Sequence, residues 1–170
     1  MKVRAVSHIA IGVRNMERSL HFYRDLLGLR VTLDDPRENP GGLLRTLISD
    51  PQRGQHRHGV YLRWEDGPDA TFIVLSEHQP SAGEAIKLDQ VGIHHFSFWV
   101  DDLQAVYERL KAAGVPIVLP PTVGDTAGYG EPPGGKVLTT LFQDPDGIIV
   151  QLDQRKRSIS GVLPPVGEGS

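Results

Sequence analysis

The chain contains no cysteine among its 170 residues. This absence excludes disulfide bonds, thiolate metal ligands and a cysteine nucleophile together. A metal site in this protein must therefore use imidazole, carboxylate or amide donors. The chain also lacks an apolar run of the roughly 18 residues that a transmembrane helix needs, and its N-terminal residues have no apolar core of signal-peptide length. We therefore expect a cytoplasmic protein without a membrane partner.

A large excess of one charge sign is also missing. Eighteen Lys and Arg residues stand against 21 Asp and Glu residues, which gives a formal net charge of −3, and the one basic run is Arg155-Lys156-Arg157. Nucleic-acid and membrane-surface binding proteins usually carry an extended basic patch, so neither partner is expected. With 39% hydrophobic residues, a chain of this length has enough apolar surface for one compact domain.

A repeated histidine pattern is the most informative feature of the chain. HIAIGV begins at His8 and HFSFWV begins at His95. In a β-strand, each histidine shares a face with the residues two and four positions further on, which are Ala10 and Gly12 in the first copy and Ser97 and Trp99 in the second. Two imidazoles on equivalent strands can meet across a pseudo-two-fold axis and hold a metal. The plain alternative is a pair of buried histidines that bind backbone carbonyl groups.

The residues around each histidine predict the same order of elements twice. A strand at 3–13 is followed by a helix that Asn15 caps and Gly28 ends; the second strand, at 93–100, precedes a helix that Asp101-Asp102 caps and Gly114 ends. Apolar segments then predict further strands at 29–33, 43–48, 60–64 and 71–75 in the first unit. In the second unit they predict strands at 117–119, 137–142 and 147–152, so that each unit has about three strands after its helix. Segment 50–59, with His56 and His58, is expected to be a loop.

This repetition predicts two units that share a core, since neither unit is large enough to bury its apolar face alone. The first unit covers about 3–78 and the second about 91–153, within a single domain over 1–153. Residues 154–170 are rich in Gly, Pro and Ser, which predicts a C-terminal extension without a core of its own.

The glycine-rich segment 120–136 lies between strands of the second unit. Its composition is typical of a mobile lid, or equally of an irregular surface loop. Two residues in it carry useful chemistry: Tyr129 has a phenol that can donate to a developing oxyanion, and Glu131 has a carboxylate that can move protons. On the strand of the second histidine, Trp99 and Ser97 are expected to line a substrate pocket.

These motifs resemble those of the vicinal oxygen chelate superfamily, which includes glyoxalase I, bleomycin-resistance proteins and extradiol dioxygenases. The resemblance rests on SHIAIGV, NMERSLHFYRDLLGL, HHFSFWVDDL and DPDGIIVQL, and spans about residues 3–153. It implies an α+β fold in which two βαβββ modules form a cupped mixed sheet around one divalent metal ion. It also implies a homodimer, because half-cup modules in this family often pair between chains.

The resemblance further implies the metal ligands His8, His95 and Gln151. The family pattern has a glutamate where this chain has Gln151, and Val74 stands where glyoxalase-type members carry a fourth ligand. Asp153 lies two residues beyond Gln151 on the same face, about 6 to 7 Å along the strand. It is a distant candidate to replace Gln151 as a metal ligand. A neutral ligand set predicts weaker metal retention and makes ferrous oxygenase chemistry less favourable.

Three functions follow from the resemblance. The first is a divalent-metal enzyme, with Zn, Ni, Mn or Fe, that performs isomerase, epimerase or lyase chemistry on a small substrate with vicinal oxygens; extradiol-type dioxygenation is a lesser variant. The second is a metal-free protein that binds small molecules, of the bleomycin-resistance kind. The third is a subunit that only builds a dimer.

Overall fold

The computed structural model describes residues 2–38, 47 and 56–156. The first module contains β1 (His8–Val13), α1 (Met16–Leu20), a π-helical stretch (His21–Leu26), β2 (Arg30–Glu38), β3 (His56–Arg63) and β4 (Phe72–Gln79). The second contains β5 (His95–Trp99), α2 (Leu103–Ala112), β6 (Ile117–Asp125), a 3-10 turn (Ala127–Tyr129), β7 (Lys136–Gln143) and β8 (Ile149–Lys156). The strand predicted at 43–48 lies outside the described residues, as does the chain after residue 156.

Each module forms one four-stranded mixed sheet. The strand orders are β1-β4-β3-β2 and β5-β8-β7-β6, in which the first strand runs parallel to the last and the other pairs are antiparallel. In the registers, Ala10 pairs with Val74 and Ser97 pairs with Gln151. Val74 and Gln151 therefore occupy equivalent places in the two sheets. The predicted α+β architecture of two βαβββ modules is confirmed.

Both predicted helix caps are present. The side chain of Asn15 accepts a hydrogen bond from the Arg18 backbone N–H at 2.9 Å, and Asp102 accepts one from Ala105 at 3.0 Å. Gly28, with φ +83°, follows the first helical segment, and this left-handed conformation is the one that glycine adopts without strain. No helix of the described ranges is long and apolar enough to cross a membrane.

Several strand ends differ from the sequence prediction, and those of β3, β6 and β8 are three of them. His56 and His58 belong to β3 and pair with β2 and β4, so the predicted loop at 50–59 is wrong over its last four residues. Strand β6 extends to Asp125, which pairs with Lys136, and so takes in the first part of the expected lid. Strand β8 continues to Lys156, because β7 is long enough to pair with it. Long-range pairing decides all three boundaries.

The two modules share one core. Buried Leu20 and Phe22 of the first module belong to the same apolar cluster as Leu103, Phe142 and Leu152 of the second. Since apolar burial contributes about 25 cal/mol per Å², this common cluster stabilises both modules at once. The predicted need of each module for the other is thus met by packing across the helical side of the two sheets.

A buried polar contact crosses this core. The Tyr23 hydroxyl donates to Oδ2 of Asp144 at 2.8 Å, and Oδ1 of Asp144 accepts from the backbone N–H groups of Asp146 and Ile148 at 2.9 and 2.8 Å. Burial raises the pKa of Asp144, and its hydrogen bonds oppose that shift. Tyr23 thereby joins the helical segment of one module to the DPDG turn of the other. A second link is the ion pair between Arg14 and Asp146, at 3.0 Å.

Replacing Tyr23 by phenylalanine tests the buried contact. The change leaves Oδ2 of Asp144 buried without its donor, which costs about 1 to 3 kcal/mol in the free energy of unfolding. Urea denaturation is the measurement. Tyr107→Phe is the matched control, because the Tyr107 hydroxyl has no hydrogen bond within the described residues, and it should change stability by less than about 0.5 kcal/mol. Equal stability of the two variants would contradict a stabilising role for the contact.

Candidate active site

His8 lies at the start of β1, on the face of the first sheet opposite the one that Ile11 and Val13 bury in the core. Its ring stacks on Phe72 with the ring centres 5.1 Å apart, and its Nδ1 lies 3.0 Å from the Ser7 hydroxyl. The other ring nitrogen, Nε2, has no hydrogen bond with any described residue. The side chain is exposed on the sheet surface. His8 is therefore not a histidine satisfied within the core, and one nitrogen remains available to a ligand.

His95 has the same arrangement at the start of β5. Its Nδ1 lies 2.7 Å from Nδ1 of His94, and the two rings stack at 4.7 Å. One of these two nitrogens carries the proton and the other accepts it. Nε2 of His95 makes no hydrogen bond within the described part of the chain. Histidines that bind a metal typically use one ring nitrogen and anchor the other, and both repeated histidines fit this pattern.

Gln151 is oriented by the buried carboxylate of Asp153. Asp153 is 1% exposed and accepts hydrogen bonds from the hydroxyls of Ser97 and Thr139 and from the Gln151 amide nitrogen, the last at 2.9 and 3.0 Å. Because a carboxylate only accepts, the amide NH₂ group faces it and the carbonyl oxygen of Gln151 is turned elsewhere. That oxygen is the only atom of a glutamine side chain that can bind a cation.

Asp153 itself is poorly placed to replace a metal ligand. Its register partner on β5 is Trp99, four residues beyond His95, or about 13 Å along the strand. Its oxygens already accept hydrogen bonds from the side chains around it. The expectation of a substitute ligand at Asp153 finds no support in this geometry, whereas a hydrogen-bonding role within the cup does.

Tyr129 lies beside the hydrogen-bonded side chains of Gln151 and Asp153. Its ring contacts Trp99 with centres 5.0 Å apart, and its hydroxyl lies 3.5 Å from the Gln151 amide nitrogen. Burial raises the pKa of Tyr129, and a hydrogen bond to Asp153 raises it further. The phenol therefore holds its proton at neutral pH, as a group that donates to an oxyanion must.

Glu131 is held in an ion pair. Nε of Arg155 donates to its carboxylate at 2.6 Å, and the guanidinium group lies 4.1 Å from the centre of the Trp99 ring. The hydrogen bond from Arg155 lowers the pKa of Glu131. A general base works best when its pKa is near the working pH, so a lowered pKa and an occupied carboxylate make Glu131 a weak base in this arrangement.

The structure brings most of the predicted site together on one sheet. Three residues connect the predicted side chains of the second module, and the sequence alone did not predict this connecting role: Thr139, Asp153 and Arg155. The predicted side chains that they connect are Ser97, Trp99, Tyr129, Glu131 and Gln151. His8 lies on the other sheet. Within residues 2–38 and 56–156, no group of three or more His, Asp and Glu side chains is placed to hold a metal ion. Strand alternation places Asp153 on the same face as Gln151, but only the strand register shows which side chains donate hydrogen bonds to its carboxylate.

This combination of paired βαβββ modules and repeated histidines defines a family. Residues 5–152 match the model of the Glyoxalase/Bleomycin resistance protein/Dioxygenase superfamily. The chain belongs to this superfamily, and the predicted resemblance is confirmed.

Two curated relatives match over nearly their whole length. The chain is 30% identical to the ethylmalonyl-CoA/methylmalonyl-CoA epimerase of Cereibacter sphaeroides over 156 residues, which are 88% of this chain and 96% of the relative. It is 26% identical to the lactoylglutathione lyase of Haemophilus influenzae over 166 residues, 92% and 97% of the two chains. Among solved structures, a glyoxalase family protein from Bacillus cereus has a TM-score of 0.68 at 15% identity, with 91% and 96% coverage. This last likeness shows the fold.

The pH dependence of stability tests the ion pair of Glu131. A carboxyl pKa lowered by folding stabilises the protein above the unfolded pKa, about 4.3, and this stabilisation is lost as pH falls through the folded value. The melting temperature of Glu131→Gln should therefore lie below that of the wild type at pH 7 and converge on it as pH falls below about 4.

A matched control for this series is Glu65→Gln, because Glu65 is exposed and makes no ion pair within the described residues. Its melting temperature should follow the wild type at every pH. A difference between wild type and Glu131→Gln that stays constant from pH 7 to pH 3 would show that the Arg155 contact does not depend on the charge of Glu131.

Proposed function

We propose that the protein is a divalent-metal-dependent enzyme that performs isomerase, epimerase or lyase chemistry on a small substrate with vicinal oxygens. The observation that carries this proposal is the matching state of the two repeated histidines. In both, Nδ1 lies within hydrogen-bond distance of the preceding residue, and Nε2 has no hydrogen-bond partner among the described residues. A binding protein that uses no metal has no need for two such imidazoles at equivalent positions.

The donors fit a divalent cation in their chemistry. His8 and His95 would supply imidazole nitrogens, and Gln151 would supply the carbonyl oxygen that Asp153 turns away from itself. These neutral ligands suit Zn or Ni, and also Mn or Fe with lower retention, because the set lacks the carboxylate of a ferrous facial triad. Proton transfer is therefore favoured over dioxygenation.

A metal held there would act as a Lewis acid toward the two substrate oxygens. The chain supplies the other functions. Tyr129 keeps its proton and donates a hydrogen bond to the oxygen that becomes negative when a proton leaves the neighbouring carbon. Trp99, which contacts Tyr129, and Ser97, which donates to Asp153, would line the substrate pocket beside it. Glu131 remains the candidate to move the proton, which requires that Arg155 first release its carboxylate. The two curated relatives, an epimerase and a lyase by name, favour this class of reaction.

A homodimer is the arrangement that we propose for the complete site. His8 and His95 lie on different sheets, and β1 and β5 are each the terminal strand of their sheet. An edge strand exposes unpaired N–H and C=O groups, which favours covering it with another chain. Pairing of the first module of one chain with the second module of its partner would bring one His8 and one His95 into the same cup. The cytoplasmic location stays a prediction.

A metal-free binding protein is the second candidate. Val74, at the position of a fourth ligand, is a buried aliphatic residue with 4% exposure. Trp99 and Tyr129 are 48% and 39% exposed and form an aromatic surface beside the cup. An aromatic pair of this kind suits the binding of a flat or cationic molecule.

Metal content decides between these two functions. The protein purified without chelator should contain close to one divalent metal per chain by elemental analysis, and a His8→Ala, His95→Ala double variant should contain none. A His21→Ala, His56→Ala double variant removes two exposed histidines of the same chain and should retain the metal. Absence of metal from the wild type, even after reconstitution, would favour the binding protein.

Reaction class is measured on the same samples. The metal-loaded wild type should exchange the proton next to the carbonyl group of α-hydroxycarbonyl compounds with solvent deuterium, as followed by NMR, and the metal-free double variant should lose this exchange. Full metal occupancy without exchange of any compound in the panel would argue against proton-transfer chemistry.

Mixing two inactive variants tests whether the site is shared between chains. His8→Ala and His95→Ala should each bind no metal alone. When the two are unfolded and refolded together, half of the dimers are mixed, and each mixed dimer regains one intact site, so metal should return to about a quarter of the wild-type content. If both histidines of a site belong to one chain, mixing restores nothing.

A further inference from the structure

The face of the first sheet that carries His8 also carries an arginine far from that histidine. Three residues lie side by side across this face: Gly12 on β1, Ser76 on β4 and Gly59 on β3. Two residues further along the face, Arg57 on β3 pairs with His78 on β4. Along β4, the register partner of His8 is Phe72 and that of Gly12 is Ser76. The arginine end of this face is therefore about 13 Å or more from the histidine end.

Arg57 lies flat on the sheet because position 59 has no side chain. Its Nη2 donates to the Ser76 hydroxyl at 3.0 Å, and a Cβ atom added to Gly59 would be 2.9 Å from Nη1. Arg57 is half-buried, and among the described residues no carboxylate forms an ion pair with it. A guanidinium group removed from water without an anionic partner is unfavourable. Its planar fork of donors is suited to a carboxylate or phosphate.

His78 lies beside this arginine with an unused polar atom. Its Nδ1 is buried and has no hydrogen-bond partner within the described residues. Burial lowers the pKa of His78, and the charge of Arg57 lowers it further, so the ring is neutral near pH 7. A neutral imidazole offers one N–H donor, which an oxyanion next to Arg57 would accept.

There is space for a ligand at this end of the sheet. A Cβ atom on Gly12 would meet no atom within 4 Å, and a cavity of about 410 Å³ reaches Gly12, Ser76 and His78. The acidic residues around the cavity are Glu84, in the exposed segment that connects the modules, and Asp146, which is paired with Arg14. Asp35 is the register partner of Gly59 and has interactions of its own.

A second arginine, Arg63, lies at the histidine end of this face, since it pairs with Phe72, the register partner of His8. The guanidinium group of Arg63 lies 4.8 Å from the centre of the Phe72 ring and donates to the carbonyl oxygens of Gly67 and Ala70 at 3.2 and 3.3 Å. No described carboxylate forms an ion pair with it either. The face of the first sheet that carries His8 therefore has an arginine near each end, Arg57 and Arg63, together with Asp35 beside Gly59. The second module presents Asp153 and the Glu131 carboxylate, which is paired with Arg155.

We propose that Arg57, Ser76 and His78 form an oxyanion subsite that binds a carboxylate or phosphate group of the substrate. This inference rests on the proposed function only in assigning the anion to the substrate. Because the subsite is about 13 Å from the histidine end, the substrate is an extended molecule whose anionic group is well separated from its vicinal oxygens. A short hydroxy acid would not reach both places.

Isothermal titration with two simple anions tests the subsite. Inorganic phosphate and acetate are titrated separately into the full-length wild type, Arg57→Gln, Arg57→Lys and the control Arg109→Gln, whose arginine is exposed on α2. Arg57→Gln should weaken the preferred anion about tenfold or more, and Arg57→Lys should fall between, because lysine keeps the charge and loses the fork. Arg109→Gln should bind as the wild type does.

The comparison of the two anions identifies the source of the charge. Tighter binding of phosphate assigns a phosphoryl group, and tighter binding of acetate assigns a carboxylate. Failure of both to bind the wild type, or equal binding by Arg57→Gln and wild type, would overturn the subsite. Circular dichroism checks that each variant is folded.

Metal analysis of the same proteins separates this proposal from the metal site. Arg57→Gln should keep the metal content of the wild type, and the His8→Ala, His95→Ala variant should lose metal while keeping its anion affinity. Loss of anion binding in the histidine variant would overturn a subsite formed by Arg57. A wild type that binds the anion but no metal would instead overturn the proposed metal function alone.

Discussion

The buried carboxylate of Asp144 is the contact on which the arrangement of the two modules depends. One of its oxygens closes the DPDG turn before β8, and the other accepts the Tyr23 hydroxyl from the helical segment of the first module. A carboxylate that is 3% exposed is stable there only because both oxygens have donors. With Arg14 bound to Asp146 in the same turn, this polar link holds the first module against the turn that precedes β8, the strand that carries Gln151 and Asp153.

The two modules present different chemical groups on the sheet faces opposite their helices. The second module has a network around Asp153 that orients Gln151, places Ser97 and supports Tyr129, so its groups are held before a substrate arrives. The first module contributes His8 and a positive surface at Arg57 and Arg63. A substrate with an anionic group at one end and vicinal oxygens at the other would use both faces.

Strong local signals in the sequence, such as helix caps and strand alternation, predicted the helices and strands well. Asn15 and Asp102 were recognised as helix caps from residue type and position, and both accept the expected backbone hydrogen bond. The alternation of β8 placed Gln151 and Asp153 on one face, which the register confirms. Strand ends were less predictable, since β3, β6 and β8 extend as far as their neighbours pair with them, and no property of His56 or Asp125 alone reveals that partner.

The sequence by itself determined the repeat of strand, helix and three strands, the family, and the face on which each repeated histidine stands, because these follow from the periods of 2 and 3.6 residues and from short motifs. Only the tertiary structure decided what surrounds each group. In the tertiary structure, the Asp153 carboxylate accepts hydrogen bonds from Ser97, Thr139 and Gln151. Glu131 pairs with Arg155, and the Arg57 side chain lies over Gly59 beside His78. These contacts join residues distant in the chain, and their partners are set by strand register and by the packing of one module on the other, which no local pattern contains.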